Sequence, residues 1–188
     1  MNRRIGTRAL DQIIQLATIT TTYILKTYAL VFLFAIGAII VEIIARYYGY
    51  ATTFSVEFSG YVMASLITWG SCYALLQKAH IRIDILYTQR SDATKSLLDI
   101  LAIVMFFLAA VFLAWSSARL AIESVEFDLL SNSTLRVPLW IPQTSWALGF
   151  IWLSICSGLL TVKALVSWLN QDRDIMVAAV GTGDEAPL

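Results

Sequence analysis

The chain has 188 residues, no net formal charge at pH 7, and a composition that is 59% hydrophobic and 14% charged. Its mean hydropathy of +0.73 is too high for a soluble domain, and the balanced charge gives no electrostatic reason to bind nucleic acid. Two cysteines are too few for a disulfide framework, so Cys72 and Cys156 are expected to be small apolar fillers inside helices.

Residues 1–23 are predicted to form an amphipathic helix on the cytoplasmic side of the membrane. One face carries apolar residues and the other carries polar ones: Leu10, Ile13, Ile14 and Ala17 against Arg8, Asp11, Gln12 and Gln15. Such a helix can lie on the membrane surface, pack on a partner, or simply lead into the first membrane span. The sequence leaves these interpretations open.

Residues 24–169 are predicted to form one membrane domain of four helices. Its apolar stretches contain 19 residues between Lys26 and Arg46, 20 from Phe58 to Gln77, 19 from Ile100 to Ala118 and 26 from Val137 to Val162. Roughly 20 helical residues cross the ~30 Å hydrocarbon layer of a bilayer. We therefore expect spans at about 24–46, 58–77, 97–119 and 142–166. The fold class is an all-α integral membrane protein with four transmembrane helices plus the N-terminal helix.

The basic residues predict the orientation of the chain. Ten lie before the first span, between the second and third spans, or near the C-terminus, and three lie in the other connections: Arg46, Arg119 and Arg136. Because basic residues concentrate on the cytoplasmic side, both termini and the middle loop are expected to be cytoplasmic. Residues 170–188 lose the apolar pattern and are predicted to be a flexible cytoplasmic tail.

Glu42 is the only acidic residue well inside a predicted span. An acid in a membrane is a candidate for ion or proton coupling. Counting from Lys26, however, Glu42 lies about 24 Å along the helix, near the outer boundary. Arg46 follows one turn later on the same face, so we expect a structural ion pair.

The residues available for catalysis or cofactor binding are few. The chain has one histidine, His80, so bis-histidine haem lacks its ligands, and no CxxC or HExxH sequence provides a metal site. We therefore predict no catalytic, cofactor or metal residues in this chain. A membrane anchor for a redox complex stays as an alternative that bound haem or quinone would support.

The most specific string in the sequence follows the second span, from Lys78 through His80, Arg82 and Asp84 to Leu86. Polar and apolar residues alternate there, as in a strand, but a lone strand has no partner for its backbone. The segment is predicted either to be a loop anchored by isoleucines or to orient a partner subunit.

This string, with Arg46 and Tyr47 ending the first span, Glu57 opening the second and Pro138 to Pro142 before the fourth, resembles one transporter family. It is similar to the small membrane subunit (Q-type) of tripartite ATP-independent periplasmic (TRAP) transporters, over roughly residues 29–167. The resemblance implies a non-catalytic subunit in the bacterial inner membrane. It assigns Glu42, Arg46, Glu57, Lys78, His80, Arg82 and Asp84 to structural or partner contacts.

The resemblance also implies the partners. A periplasmic substrate-binding protein captures an organic acid, a large multi-span membrane subunit imports it with sodium, and the small subunit supports the large one. Sodium coupling is thereby placed in the large subunit, with no cofactor in this chain. The alternative is a small autonomous proton-coupled exporter that uses Glu42 as its coupling acid.

Overall fold

A computed structural model describes residues 3–50, 54–78, 92–133 and 136–170. Within these ranges the chain forms four α-helices: α1 (Arg3–Tyr47), α2 (Phe54–Leu76), α3 (Asp92–Glu126) and α4 (Trp140–Leu169). The helical class predicted from the sequence is confirmed for the described residues. The expected tail lies outside them, apart from Asn170.

The predicted N-terminal helix and first span are a single helix, because α1 continues through residues 23 and 24 without a break. One face of its N-terminal half packs against the bundle, where Ala17 is 6% exposed and Thr21 is completely buried. A helix lying flat on the membrane surface would keep this face in contact with lipid. The packing therefore favours a lead-in to the span for this part of α1.

Left-handed residues end three of the helices. After α1, the N–H groups of Gly49 and Tyr50 bond to the carbonyls of Arg46 and Ala45, and Gly49 has φ +88°. This is a Schellman motif, in which a residue with positive φ and the next residue donate their N–H groups to carbonyls of the last helical turn. Asp128, with φ +46°, closes α3 in the same way, and Lys78, with φ +55°, follows α2.

Among the residues that the structure describes, three helices are long and apolar enough to cross a membrane: α1 from Leu10, α3 from Thr94, and all of α4. The predicted second span corresponds to α2, which does not meet that criterion. Its 23 residues cover roughly 34 Å, enough for one crossing, but serine, threonine, glycine and aromatic residues lower its hydropathy. A fourth span at α2 stays a prediction.

Helix α4 is the centre of the bundle and contacts each of the other helices. On one side it packs against α1 and α2, which also contact each other, and on the other side it packs against α3. The main apolar cluster follows the same plan, with Cys72 of α2, Leu153 and Cys156 of α4 and Ala110 of α3 at its centre. α4 is thus shared by two separate helix interfaces.

The segment between α3 and α4 folds back on itself as a short hairpin. Leu130 pairs with Pro138, and the Ser131 N–H donates to the Val137 carbonyl at 2.8 Å. Pro142 lies in the first turn of α4, where the missing N–H of proline has no helical partner to lose. The hairpin therefore brings the end of α3 back to the start of α4.

Candidate functional site: polar contacts between the helices

One face of α1 presents buried or half-buried residues toward the other helices at intervals of about seven residues. They are Thr21, Tyr28, Ala35 and Glu42, and Ala17 lies one turn before Thr21. A seven-residue repeat keeps one face of a helix against its neighbours over several turns. Three members of this face carry polar groups, and each of these three bonds to another helix.

The middle contact joins three helices around Thr21. The Trp152 Nε1–H of α4 donates to Thr21 Oγ1 at 2.9 Å, while the Thr21 hydroxyl donates to the Ala17 carbonyl at 2.7 Å. Cys72 Sγ of α2 lies 3.8 Å from the same oxygen. Both cysteines of the chain are buried free thiols, so Cys72 and Cys156 act as packing groups in this structure.

A second polar contact lies two turns closer to the start of α4. The hydroxyls of Tyr28 and Ser145 are 2.6 Å apart, and Ser145 is 2.8 Å from the hydroxyl of Ser65. These three groups join α1, α4 and α2. Inside a membrane, an unpaired hydroxyl has no water to bond, so paired hydroxyls stabilise one arrangement of the helices.

The third contact is an ion pair at the opposite end of α4. Lys163 Nζ lies 2.6 Å from Asp11 Oδ1, with the lysine side chain 13% exposed and the aspartate 52% exposed. This ion pair joins the N-terminal part of α1 to the last third of α4. Together the three contacts link α1 to α4 at residues 11, 21 and 28, over a distance of roughly 25 Å.

Glu42 forms the predicted ion pair, with its Oε1 3.3 Å from Arg46 Nη2. Its second partner, Ser55, was not predicted. Glu42 Oε2 accepts from the Ser55 backbone N–H at 3.0 Å and also from the Ser55 hydroxyl. Because the first N–H groups of a helix lack partners and attract negative charge, this carboxylate caps α2 from the neighbouring helix.

Glu57, just before the predicted second span, joins α2 to the hairpin. Its Oε1 accepts from the Tyr61 hydroxyl at 2.5 Å and from the hydroxyl of Ser131. The hydroxyls of Ser131, Ser133 and Tyr61 hold the pKa of Glu57 below its ordinary value of 4.5. The carboxylate is therefore ionised at neutral pH, where it links the start of α2 to the segment between α3 and α4.

The remaining predicted contact residues, from Lys78 to Asp84, follow the end of α2. Lys78 closes α2, with its N–H donating to the Leu75 carbonyl at 3.1 Å. His80, Arg82 and Asp84 lie outside the described residues, so their role stays a prediction. Within the described part of the chain, Glu42 and Arg46 meet at the start of α2, and Glu57 lies on the same first turns.

Sequence reasoning missed the neutral polar groups that link the helices: Thr21, Tyr28, Ser65, Ser145 and Trp152. A usable signal was present on α1, where Thr21, Tyr28 and Glu42 follow a seven-residue repeat. The partner residues on α2 and α4 have no such signal, because their positions depend on how the helices dock.

The α3 side of α4 has a different chemistry. Small residues of α3 lie three or four positions apart and are buried: Ala110, Ala114, Ser117, Ala121 and Ser124. The Thr161 hydroxyl lies 3.5 Å from the Ile103 carbonyl across this interface, which is a long hydrogen bond. Small residues allow close helix packing with dispersion contacts as the main attraction.

A comparison with protein families identifies the chain. The model of the family described as "Tripartite ATP-independent periplasmic transporters, DctQ component" matches residues 35–174. The chain belongs to this family. This DctQ component is therefore the small component of a TRAP transporter, as its sequence indicated, and a transporter part rather than an enzyme. Comparisons with curated proteins and with solved structures gave no match.

Proposed function

We propose that this DctQ component is the non-catalytic small membrane subunit of a sodium-coupled TRAP transporter that imports an organic acid. It holds the large membrane subunit in place within the bacterial inner membrane, and a periplasmic substrate-binding protein delivers the substrate. Both termini face the cytoplasm. The family match supports the assembly, and the positive-inside distribution of basic residues supports the orientation.

The main observation in favour of a supporting role is that both carboxylate oxygens of Glu42 are bound by other groups of the chain. A coupling carboxylate must be free to bind and release an ion. Glu42 has both oxygens engaged, one by Arg46 and the other by two groups of Ser55, and the residue is 6% exposed. A carboxylate held in this way stabilises a helix start and is a poor carrier of protons.

The large apolar surface of α1 also supports a role beside another membrane subunit. In the most apolar 18-residue stretch of α1, only 11% is buried by the rest of the described chain. A surface of this kind must face lipid or another membrane protein. In a transporter component, the large subunit is available to cover part of it.

Purification in a mild detergent tests the proposal most simply. The tagged chain, expressed with the genes of its transport system, should recover a large multi-span membrane protein, which mass spectrometry of the bound chains would identify. Recovery of this chain alone, or as a dimer with itself, would contradict the proposed assembly.

The autonomous exporter is tested separately through Glu42. An exporter that depends on this carboxylate would lose proton-driven efflux in the Glu42→Gln variant. In our proposal the isolated chain in vesicles moves no substrate with either residue at position 42. Proton-driven efflux by the isolated wild-type chain would support the exporter instead.

A further inference from the structure

Lys26 is a cation on the exposed side of α1. The inward face of this helix contains Thr21 and Tyr28, whereas Lys26 is exposed and lies almost half a turn around the helix from Tyr28. Within the described residues no hydrogen bond or ion pair of Lys26 is seen. Its ammonium group therefore has no partner among the residues that the structure describes.

The contacts of the residues around Lys26 place it level with the interior of α2 and α4 rather than with their ends. Leu25 faces Gly70 of α2, with its Cδ1 3.8 Å from where a Cβ of that residue would be. Gly70 lies twelve residues after Phe58 and six before Leu76, so it is roughly 9 Å inside the inner end of α2. The contacts of Thr21 with Trp152 and of Tyr28 with Ser145 bracket Lys26 on α4 as well.

The surface around Lys26 is apolar and follows a regular repeat. Positions alternately three and four residues apart carry exposed side chains: Leu16, Ile19, Tyr23, Leu30, Leu33 and Ile40, with Lys26 in the middle. We call these seven residues the α1 stripe. A repeat of this kind is the pattern that packs one helix along another at a shallow angle. Gly37 lies on the same line, with open space where a Cβ would be.

A charged side chain at this depth is costly, and such residues usually pair with an opposite charge. A single polar residue in an otherwise apolar helix interface also fixes which partner binds and in which register. We propose that the α1 stripe is the docking face for one transmembrane helix of the large membrane subunit, and that this helix carries an aspartate or glutamate opposite Lys26. The inference rests on the proposed function, which supplies the partner.

Charge complementarity selects this occupant. A second copy of the chain would place Lys26 against the same apolar line or against another Lys26, which provides no counter-charge. A carboxylate on a partner helix neutralises the ammonium within the membrane and sets the register of the two helices. The small surface at Gly37 allows the partner to approach closely one turn beyond Leu33.

The test compares three variants of the tagged chain, co-expressed with the large membrane subunit. Lys26→Met removes the charge and keeps a long side chain, Lys26→Arg keeps the charge, and Leu30→Met is an apolar control one turn away. We expect Lys26→Met to lower the recovery of the large subunit by about tenfold, since loss of a buried charge partner weakens a complex. Lys26→Arg and Leu30→Met should recover it as the wild type does.

Failure to fold would not explain this result, because an apolar residue enters a membrane more readily than lysine does. The isolated Lys26→Met chain should therefore insert at least as well as the wild type. Charge reversal adds a second arm: Lys26→Glu should lose the large subunit, and a lysine in place of the opposing acid should restore it.

Three outcomes would overturn the inference. Undiminished recovery with Lys26→Met would show that the charge has no part in docking. Loss of bound phospholipid phosphate from Lys26→Met, with the large subunit retained, would assign Lys26 to a lipid headgroup. Absence of the large subunit from the wild-type purification would refute the proposed function itself, and this inference with it.

Discussion

The two sides of α4 show different ways of joining membrane helices. Toward α1 and α2, hydroxyl, indole and charged groups form specific bonds at Thr21, Tyr28 and Lys163. Toward α3, buried alanine and serine residues let the helices approach closely, and Phe107 packs over Gly158. Because lipid provides no hydrophobic drive between helices, both methods are available in a membrane, and they respond differently to mutation.

Polar bonds specify register, whereas small residues specify distance. Removing a polar partner leaves a group unsatisfied, and enlarging a small residue pushes helices apart. The polar side joins three helices into one unit that can present α1 to another subunit in a fixed orientation. On the α3 side, buried small residues set how closely the two helices approach.

The largest effect is expected where α2 and α4 are closest. A Cβ at Gly149 would be 2.8 Å from Thr68 Cβ and would overlap its hydroxyl oxygen, so Gly149→Ala must displace a helix. We expect a loss of about 2–3 kcal/mol in the free energy of unfolding, measured by denaturant titration in mixed micelles.

Two glycines provide controls for that result. Gly60 has open space around its Cβ position, so Gly60→Ala should be neutral or slightly stabilising. Gly158→Ala would bring a Cβ to 3.0 Å from the edge of the Phe107 ring, which can shift, so its cost should fall between the two. A greater loss at Gly158 than at Gly149 would show that we have assigned the tighter interface wrongly.

The next effect tests the polar bond at the centre of the bundle. Thr21→Val keeps the shape of the side chain but leaves Trp152 Nε1 without its acceptor, and should lower the free energy of unfolding by about 1–2 kcal/mol. Thr27→Val is the matched control, because Thr27 bonds only to the carbonyl of Tyr23 in its own helix and is exposed. Equal losses in the two variants would mean that the interhelical bond adds nothing.

A smaller effect is expected from the ion pair between Asp11 and Lys163. A double-mutant cycle with Asp11→Asn and Lys163→Gln should give a coupling energy of about 0.5–1 kcal/mol, since the lysine is mostly buried but the aspartate is half exposed. The same cycle on the exposed pair Arg119 and Glu123 should give less. A larger coupling in the exposed pair would contradict the importance of the α1–α4 contact.

The smallest effect should come from removing the hydroxyl of Thr161, which faces α3. Thr161 Oγ1 is 2.8 Å from the Ser157 carbonyl in its own helix but 3.5 Å from Ile103 on α3. Thr161→Val should therefore change the free energy of unfolding by less than about 0.5 kcal/mol in the same titration. A loss equal to that of Thr21→Val would remove the distinction between the two interfaces.

Sequence reasoning found the features that depend on neighbouring residues in one helix. The apolar runs predicted the helices, and the spacing of Glu42 and Arg46 predicted their ion pair, which the structure contains. It also found the family, which the comparison confirmed. These features are local in the chain or follow a known pattern of residues.

Features that depend on helix docking could not be read in the same way. Lys26 is the first charge before an apolar run, so the sequence predicts that it lies at the inner boundary of the membrane. In the structure its neighbour Leu25 lies beside Gly70, which places Lys26 level with the interior of α2. The cap that Glu42 provides for α2 joins residues thirteen apart across a turn. Such contacts depend on the tilt and register of whole helices, which hydrophobic length alone does not determine.

Transport in reconstituted vesicles tests the central claim most directly. Sodium-driven substrate uptake would be measured with the large membrane subunit and the periplasmic receptor, with and without this chain, and with this chain alone. We predict uptake only when the chain and the large subunit are present together. Uptake by this chain alone, or full uptake in its absence, would contradict its role as a required supporting subunit.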